Sequence, residues 1–283
     1  MYPTAMSANA SADAEARPTV TGLVLTYNGE RLLKKCLDSL GFCDEILVVD
    51  SHSTDRTRDI AEALGARVLV RAWEGPGPQF AYALEQISTD WVLSLDQDES
   101  LDPALGDAVK AVLANPDTTL AGYYLSRRSW YFDRFLKHSG WYPDRLLRLW
   151  RAGRMRVTVS GAHYHFLPQG PTADLHGGDI VHYPYTSFAE HLHKVDSYAQ
   201  QGADDLRAKG RPGGVLPALT HGLGRFAKIY LVKRGFLDGR AGFLNAVHGA
   251  FYAFLKYARA AETVPWPGSV DTSSDRSADQ SGE

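Results

Sequence analysis

The chain has 283 residues, of which 44% are hydrophobic and 11% aromatic, enough apolar material for one large domain with a helical appendage. Its formal net charge of −3 argues against a general nucleic-acid-binding protein. Only two cysteines occur, Cys36 and Cys43, which argues against a disulfide framework and favours a reducing cytoplasm.

Both ends of the chain have compositions typical of disorder. Residues 1–18 are rich in Ala and Ser and lack the apolar run of a secretory signal. Residues 263–283 are rich in Pro, Ser and Asp. We therefore expect the ordered region to lie between these two segments.

The first half of the ordered region alternates strands with helices. Apolar runs predict strands at Val20–Thr26, Ile46–Val49, Arg67–Val70 and Trp91–Leu95, and helical spacing predicts helices at Gly29–Leu40, Asp55–Leu64 and Gln79–Ile87. Ser53 or Thr54 could cap the start of the second helix, and Gly65 could end it. Such alternation indicates βαβ units, that is, an α/β fold whose mostly parallel sheet is covered by helices on both faces.

The second half is less regular. Further strands are predicted at Tyr123–Arg127, Arg145–Trp150, Met155–Val159 and Asp179–His182. After Ser187 the pattern becomes helical.

Polar residues follow three strands of the first half at the point where each strand ends. Thr26-Tyr27-Asn28 follows the first strand, Asp50-Ser51-His52-Ser53-Thr54-Asp55 the second, and Asp96-Gln97-Asp98-Glu99 the fourth. Ligands of open parallel sheets bind beyond the carboxyl ends of the strands. Two carboxylates held close together after a buried strand suit a hard divalent cation that also binds phosphate oxygens. The sequence therefore predicts a metal–diphosphate site at this edge, and it contains neither a dinucleotide-binding fingerprint nor a Walker A sequence.

Together these three segments resemble the inverting family 2 glycosyltransferases, which have the GT-A fold. Four further segments resemble a subgroup, the bacterial lipopolysaccharide core β-1,4-glucosyltransferases: Gly140-Trp141-Tyr142-Pro143-Asp144, Arg148-Leu149-Trp150-Arg151, His182-Tyr183 and Gly235-Phe236-Leu237-Asp238-Gly239. The resemblance extends from about Thr19 to Ala261. The resemblance implies an enzyme that transfers a hexose onto a lipopolysaccharide core or another lipid-linked glycan. The donor that it implies first is UDP-glucose.

The resemblance also implies roles for individual residues. Those of the nucleotide-sugar site are Thr26, Tyr27, Asn28, Glu30, Asp50, Ser51, Ser53, Asp55, Gln79 and Asp96. Asp96 and Asp98, with His163 as a third ligand or a phosphate contact, would hold Mg²⁺ or Mn²⁺ against the diphosphate, and Arg148 would offset charge on the leaving group. Asp144 is the candidate base for the acceptor hydroxyl. Two plainer interpretations stay open: Asp144 could stabilise its turn, and His163 could be an ordinary strand residue.

The chain departs from the family pattern at three places. Gly29 stands where relatives commonly have Glu, Phe80-Ala81 where they have Lys-Asn, and Tyr164 where they have Glu. Phe80, Ala81 and Tyr164 motivate an alternative function, a catalytically degenerate, membrane-associated nucleotide-sugar-binding or scaffold protein. A haloacid-dehalogenase-type phosphatase also uses two aspartates after a strand, but that family begins its fold with them, whereas three βα units come first here.

The segment 225–261 combines positive charge with aromatic residues. It contains seven Lys or Arg residues against Asp238 alone, which gives a local charge of +6. Leu244, Val247, Phe251 and Phe254 form an apolar stripe at helical spacing. Such a helix can lie in the interface of an anionic membrane, or it can pack on the catalytic domain and expose a basic face.

These observations predict five segments and a cellular location. The five predicted segments are a disordered leader at 1–18, a nucleotide-sugar-binding βαβ region at 19–121, an acceptor-side region at 122–200, basic and aromatic helices at 201–262, and a disordered tail at 263–283. We expect a cytoplasmic protein that lies on the inner face of the bacterial cytoplasmic membrane and binds no nucleic acid.

Overall fold

A computed structural model describes residues 17–160 and 163–262 of the chain, without the side chains of residues 159, 160 and 163–165. The predicted leader, apart from Arg17 and Pro18, and the predicted tail lie outside the described residues. Internal contacts divide the chain into two compact units. Unit 1 contains the described residues up to Trp130 together with Tyr142–Pro184, and unit 2 contains Tyr131–Trp141 and the described residues from Tyr185 onward.

The strands and helices alternate in the first half of the chain, as predicted. The strands are β1 (Val20–Thr26), β2 (Glu45–Asp50), β3 (Arg67–Val70), β4 (Trp91–Asp96), β5 (Glu99–Leu101), β6 (Gly122–Tyr131), β7 (Arg134–Phe135), β8 (Asp144–Arg151), β9 (Met155–Ser160), β10 (His163–Pro168) and β11 (Thr172–His182). The helices are α1 (Leu33–Ser39), α2 (Thr57–Ala63), α3 (Pro76–Glu85), α4 (Pro103–Ala114), α5 (Phe188–Ala208), α6 (Val215–Ala227) and α7 (Gly239–Ala260).

The main sheet of unit 1 has the strand order β3-β2-β1-β4-β8-β6-β11-β5. Strands β3, β2, β1 and β4 are parallel, and so are β6 and β11, whereas β8 runs antiparallel to both β4 and β6. Strands β9 and β10 form a separate antiparallel pair. The predicted mostly parallel sheet is therefore confirmed, and β8 is the antiparallel strand that joins its two halves.

Apolar side chains alternate between the two faces of the sheet. On one face, Val20, Val24 and Leu93 pack against α1, α2 and α4. On the other face, Leu23 and Val92 pack against α3 and the β9–β10 pair. Because successive side chains of a strand point to opposite faces, these near-continuous apolar strands require cover on both sides.

Four elements were not predicted, and one predicted cap is wrong. Strands β5 and β7 have only three and two residues, too few for an alternating pattern to be recognised, and β10 is the third strand that was not predicted. Helix α4 does have a recognisable start signal in the sequence: Asp102 caps it by accepting a hydrogen bond from the Leu105 N–H at 2.9 Å. Helix α2 is not capped by Ser53 or Thr54, because it begins at Thr57, whose N–H donates to Asp55 Oδ1 at 2.9 Å.

The predicted C-terminal helical extension is present as unit 2. Its three long helices pack together, and α7 contacts both α5 and α6. Asp238 stabilises the turn before α7: its buried carboxylate accepts hydrogen bonds from the backbone N–H groups of Lys137 and His138 and from the Ser139 hydroxyl. Among the described helices, none has both the length and the apolar character needed to cross a membrane.

The core of unit 2 contains two neighbouring histidines. His191 of α5 and His248 of α7 are buried, and their Nδ1 atoms lie 2.8 Å apart. The Tyr131 hydroxyl also reaches His248 Nδ1, at 2.7 Å. Burial, with His248 and Lys194 nearby, lowers the pKa of His191 from 6.5 to about 4. His193, two residues further on in α5, is exposed.

We predict that acid destabilises the protein partly through His191. Well above pH 6.5 the His191 imidazole is neutral in both the folded and the unfolded protein. As the pH falls from 6.5 towards 4, the imidazole binds a proton in the unfolded protein but stays neutral in the folded protein. The free energy of unfolding should therefore fall by about 3 kcal/mol over this interval from this group alone. Urea unfolding at several pH values should show this slope, His191→Gln should remove it, and His193→Gln should keep it. An unchanged slope in His191→Gln would contradict the assignment.

Candidate active site

The loops that follow β1 and β2 are joined by hydrogen bonds at one edge of the sheet. The Thr26 hydroxyl donates to Asp50 Oδ2 at 2.9 Å, and the Ser51 N–H donates to the carbonyl of Thr26 at 2.8 Å. Asp50 is fully buried, and its Oδ1 accepts from the Ser53 N–H at 2.9 Å. Because β1 lies between β2 and β4 in the sheet, this edge also receives the turn after β4.

Asn28 fixes the shape of this loop pair. Its backbone has a positive φ of 47°, a conformation that Asn tolerates better than most residues. Its N–H donates to Ser53 Oγ at 2.9 Å, and its side-chain oxygen accepts from the Thr54 N–H at 2.9 Å. Glu30, two residues on, donates through its N–H to Asp55 Oδ2 at 3.1 Å. The predicted nucleotide-site residues of the two loops therefore lie side by side.

Gly29, a departure from the family pattern, is explained by Gln97. The Gln97 amide accepts from the Tyr27 N–H at 2.9 Å and donates to the Tyr27 carbonyl at 3.0 Å. A Cβ atom at position 29 would lie 2.3 Å from Gln97 Oε1. A larger residue at 29 would displace this amide, so Gly29 and Gln97 act together to tie the β1 loop to the turn after β4.

Gln79 of α3 is buried beside the same loops. Its amide nitrogen donates to Ser51 Oγ at 3.1 Å, and its Oε1 has no hydrogen-bond partner in the described part of the chain. An unpartnered acceptor is costly when buried, so this position fits a ligand that donates a hydrogen bond, such as a nucleotide base. Phe80, in contrast, is a core residue that packs edge-on against Phe166 at 4.9 Å between ring centres.

The turn after β4 contains a buried carboxylate behind the two aspartates. Glu99 is fully buried, and its Oε2 accepts from the Asp96 N–H at 2.9 Å. Arg148 of β8 donates to Asp96 Oδ2 at 2.7 Å and to Glu99 Oε1 at 3.1 Å. Burial works against ionisation of Asp96, but Arg148 outweighs it and leaves the pKa of Asp96 below its ordinary value. Burial raises the pKa of Glu99, although Arg148 opposes that shift.

Arg127 of β6 extends this network to the candidate base. It donates to Glu99 Oε1 at 2.7 Å and to Asp144 Oδ2 at 2.6 Å. Asp144 is the first residue of β8, and no described residue donates to its Oδ1. Four carboxylates and two guanidinium groups meet here, which leaves a formal charge of −2 when all four carboxylates are ionised. The carboxylates are those of Asp96, Asp98, Glu99 and Asp144, and the guanidinium groups those of Arg127 and Arg148. One divalent cation would balance that charge.

Asp98 lies beside a histidine that was not among the predicted ligands. His182 Nε2 is 3.7 Å from Asp98 Oδ1, and His182 Nδ1 is bonded to the Ser129 hydroxyl at 2.8 Å. A histidine whose second nitrogen is held in this way is oriented as metal-binding histidines are. Among the described residues no cluster of three or more His, Cys, Asp or Glu side chains has metal-binding geometry. The oxygen and nitrogen donors of Asp98 and His182 nevertheless fit a divalent cation in type.

The remaining predicted residues are placed as follows. The backbone of His163 begins β10, but its side chain, like that of Tyr164, lies outside the described part of the structure. Arg127 and His182 are the residues that sequence reasoning missed. Each ends a strand segment that was predicted, Tyr123–Arg127 and Asp179–His182. The search for polar residues at strand ends, applied to the first, second and fourth strands, would therefore have found them.

The chain matches the family model described as glycosyl transferase family 2 over residues 23–168. It is also 30% identical over 251 residues to the lipopolysaccharide core biosynthesis glycosyltransferase LpsC of Rhizobium meliloti. The aligned residues cover 85% of this chain and 91% of that protein. The chain belongs to glycosyl transferase family 2. An uncharacterized glycosyltransferase of Rickettsia typhi, RT0209, is 28% identical over 255 residues, 86% of this chain and 87% of that protein.

Solved structures resemble this glycosyltransferase more distantly. Glucosyl-3-phosphoglycerate synthase from Mycobacterium tuberculosis, in complex with Mn²⁺ and UDP-glucose, aligns with a TM-score of 0.33 and 25% identity over 41% of this chain and 44% of that chain. S. aureus TarS aligns with a TM-score of 0.43 and 18% identity over 65% of this chain and 39% of that chain. Scores at this level do not support a comparison of individual sites.

We predict that Arg148 stabilises the fold through the two carboxylates that it contacts. Arg148→Met keeps most of the side-chain volume but leaves Asp96 and Glu99 without their main partner, so the free energy of unfolding should fall by about 3–5 kcal/mol. Arg145 provides the control on the same strand, because it is exposed, pairs with Asp174 and lies over the ring of Tyr124. Arg145→Met should cost about 1 kcal/mol or less in urea unfolding. Equal losses in the two variants would contradict the proposed role of Arg148.

Proposed function

We propose that this glycosyltransferase is an inverting, metal-dependent enzyme that moves a hexose from a UDP-hexose, UDP-glucose first among them, onto a lipopolysaccharide core or another lipid-linked glycan. The observation that carries the proposal is the cluster of formal charge −2 at the end of β4, beside the loops of β1 and β2. The similarity to a lipopolysaccharide core glycosyltransferase supports the class of acceptor.

The donor would lie along the loops after β1 and β2. Gln79 Oε1 and the Asp50 region are candidates for contacts to the base, and Ser51 and Ser53 for contacts near the ribose. Asp98 and His182 would hold Mg²⁺ or Mn²⁺, which supplies positive charge to the departing diphosphate. Asp96 would face the same cation while Arg148 fixes its orientation. Both terminal nitrogens of Arg148 are engaged by carboxylates, so we assign it a positioning role.

Asp144 is the proposed base. Inversion requires one carboxylate to take the proton of the acceptor hydroxyl on the face opposite the leaving group. Both hydrogen bonds from Arg127 go to Oδ2 of Asp144, which leaves Oδ1 available to the acceptor. Arg127 thereby fixes the carboxylate without blocking it.

Unit 2 would bind the surface of the membrane that contains the acceptor. Helix α6 exposes Val215, Leu216 and Leu223 by 75%, 71% and 71%, and α7 exposes Phe243 and Phe251 by 47% and 44%. Apolar side chains beside Lys and Arg residues are typical of helices that lie in a membrane interface. The location that follows is the inner face of the cytoplasmic membrane.

The alternative of a degenerate binding protein loses part of its motivation. Phe80, one of its three grounds, packs in the core of unit 1. Slow release of UDP from UDP-glucose without an acceptor distinguishes the two functions, because a working site hydrolyses its donor and a degenerate one only binds it.

We predict that UDP release depends on Asp98. With UDP-glucose and Mn²⁺, Asp98→Asn should release UDP about 100-fold more slowly than the unaltered protein, since a ligand of the cation is lost. Asp59→Asn makes the same chemical change at an exposed position of α2 and should leave the rate unchanged. Release can be followed by a coupled assay for UDP. Equal rates in Asp98→Asn and the unaltered protein would reject the proposed site, and binding without release in the unaltered protein would favour the degenerate alternative.

A further inference from the structure

Unit 2 contains a cavity of its own, with a volume of about 390 Å³. This basic cavity is bounded by residues of α5, α6, α7, the segment between α6 and α7, and Ser139–Trp141. Its charged lining residues are Lys194, Arg225, Lys228 and Lys233, and no Asp or Glu within residues 17–160 and 163–262 lines it. A volume of this size is within the range of small-molecule sites.

The position of these cations follows from an irregular helix. Helix α6 continues into a π-helical turn at Lys228–Val232, and the Lys233 N–H donates to the carbonyl of Lys228 at 2.8 Å, five residues back. One extra residue in the turn brings Lys228 and Lys233 to the same side of the helix, and Arg225 precedes Lys228 by three residues on that side. Such turns occur often at functional sites.

Three of the four cations have no carboxylate partner. In the described part of the chain, Lys194 pairs with Glu190 at 3.3 Å, whereas no Asp or Glu lies within ion-pair distance of Arg225, Lys228 or Lys233. The neighbouring acids are engaged elsewhere, as Asp196 is by Arg259 and Asp238 by the Lys137–Ser139 backbone and side chains. Like charges held together without counter-charge repel one another, and an anion would relieve this repulsion.

Asn245 provides a second, independent observation. It lines the basic cavity with 5% of its surface exposed, and its amide nitrogen has no acceptor among the described residues. A buried N–H group without an acceptor costs free energy. Phosphate oxygens accept hydrogen bonds and carry negative charge, so they suit both Asn245 and the three cations.

The other walls of the cavity are aromatic. Trp141, Tyr185, Tyr198 and Tyr252 line it, and these side chains combine an apolar ring with a polar group. The cavity therefore offers more room and more apolar surface than phosphate alone would use. A sugar or glycerol attached to the phosphate would contact these rings.

We propose that the basic cavity of unit 2 binds a phosphate group attached to a sugar or to glycerol. Such a group can belong to a phosphorylated glycan or to the headgroup of an anionic phospholipid, and both present the same chemistry to Arg225, Lys228, Lys233 and Asn245. The site does not depend on sugar transfer, because it uses no residue of the acidic cluster in unit 1.

The test measures binding of glycerol 1-phosphate to the full chain by isothermal titration calorimetry, with glycerol as the uncharged comparison. EDTA is present, so that a cation at the acidic cluster plays no part. The double variant Arg225→Glu with Lys228→Glu should weaken binding about tenfold or more, since it reverses two charge-assisted contacts. The control variant, Lys209→Glu with Arg211→Glu, changes the net charge of unit 2 by the same amount at exposed positions that do not line the cavity. It should bind glycerol 1-phosphate as the unaltered protein does. Arg225→Gln with Lys228→Gln provides a milder version if the reversed charges prevent folding.

A second cavity shares Arg225 and Lys228 but contains Lys256 in place of Lys233. Lys233→Glu should therefore weaken binding more than Lys256→Glu does.

Sedimentation with phosphatidylglycerol vesicles, compared with phosphatidylcholine vesicles, identifies the source of the phosphate. Loss of vesicle binding in the Arg225 and Lys228 variants supports a lipid headgroup, and loss of glycerol 1-phosphate binding alone supports a phosphorylated glycan. The proposal is overturned if neither binding depends on these residues, if the control pair loses binding equally, or if only Lys256→Glu has an effect.

Discussion

Glu99 places a carboxylate in the interior of unit 1, directly behind the two aspartates that follow β4. Burying this charge is tolerated because Arg148 and Arg127 both donate to it and because its other oxygen accepts from the Asp96 backbone. The same two guanidinium groups reach forward, Arg148 to Asp96 and Arg127 to Asp144. One buried acid therefore fixes the positions of both Asp96, a proposed ligand of the cation, and Asp144, the proposed base.

The two units present different surfaces to ligands. Unit 1 gathers carboxylates at the edge where β1, β2 and β4 end, which suits a cation and a sugar nucleotide. Unit 2 gathers cations around a cavity and exposes apolar side chains on α6 and α7. The proposed cation of the donor site and the proposed phosphate ligand need opposite charges, and the acidic cluster of unit 1 and the basic cavity of unit 2 offer them.

Most of the sheet could be predicted because β1, β2 and β4 are short apolar runs that end in polar residues. Their parallel pairing then brought Thr26, Asp50 and Asp96 to one edge. The partners of these residues could not be predicted in the same way, because Arg148 and Asp96 are 52 positions apart and meet only through the antiparallel pairing of β8 with β4. His182 likewise reaches Asp98 only because β11 pairs with β5. The reason for Gly29 could not be predicted either, because it depends on the contact between the β1 loop and the Gln97 side chain.

We propose above all that the end of β4 holds a divalent cation together with a nucleoside diphosphate. Electron paramagnetic resonance of Mn²⁺, titrated with and without UDP, measures this directly. One Mn²⁺ should bind per chain more tightly when UDP is present, and His182→Ala should weaken that binding about tenfold or more. His193→Ala should leave it unchanged. Mn²⁺ binding that is independent of both UDP and His182 would contradict the account.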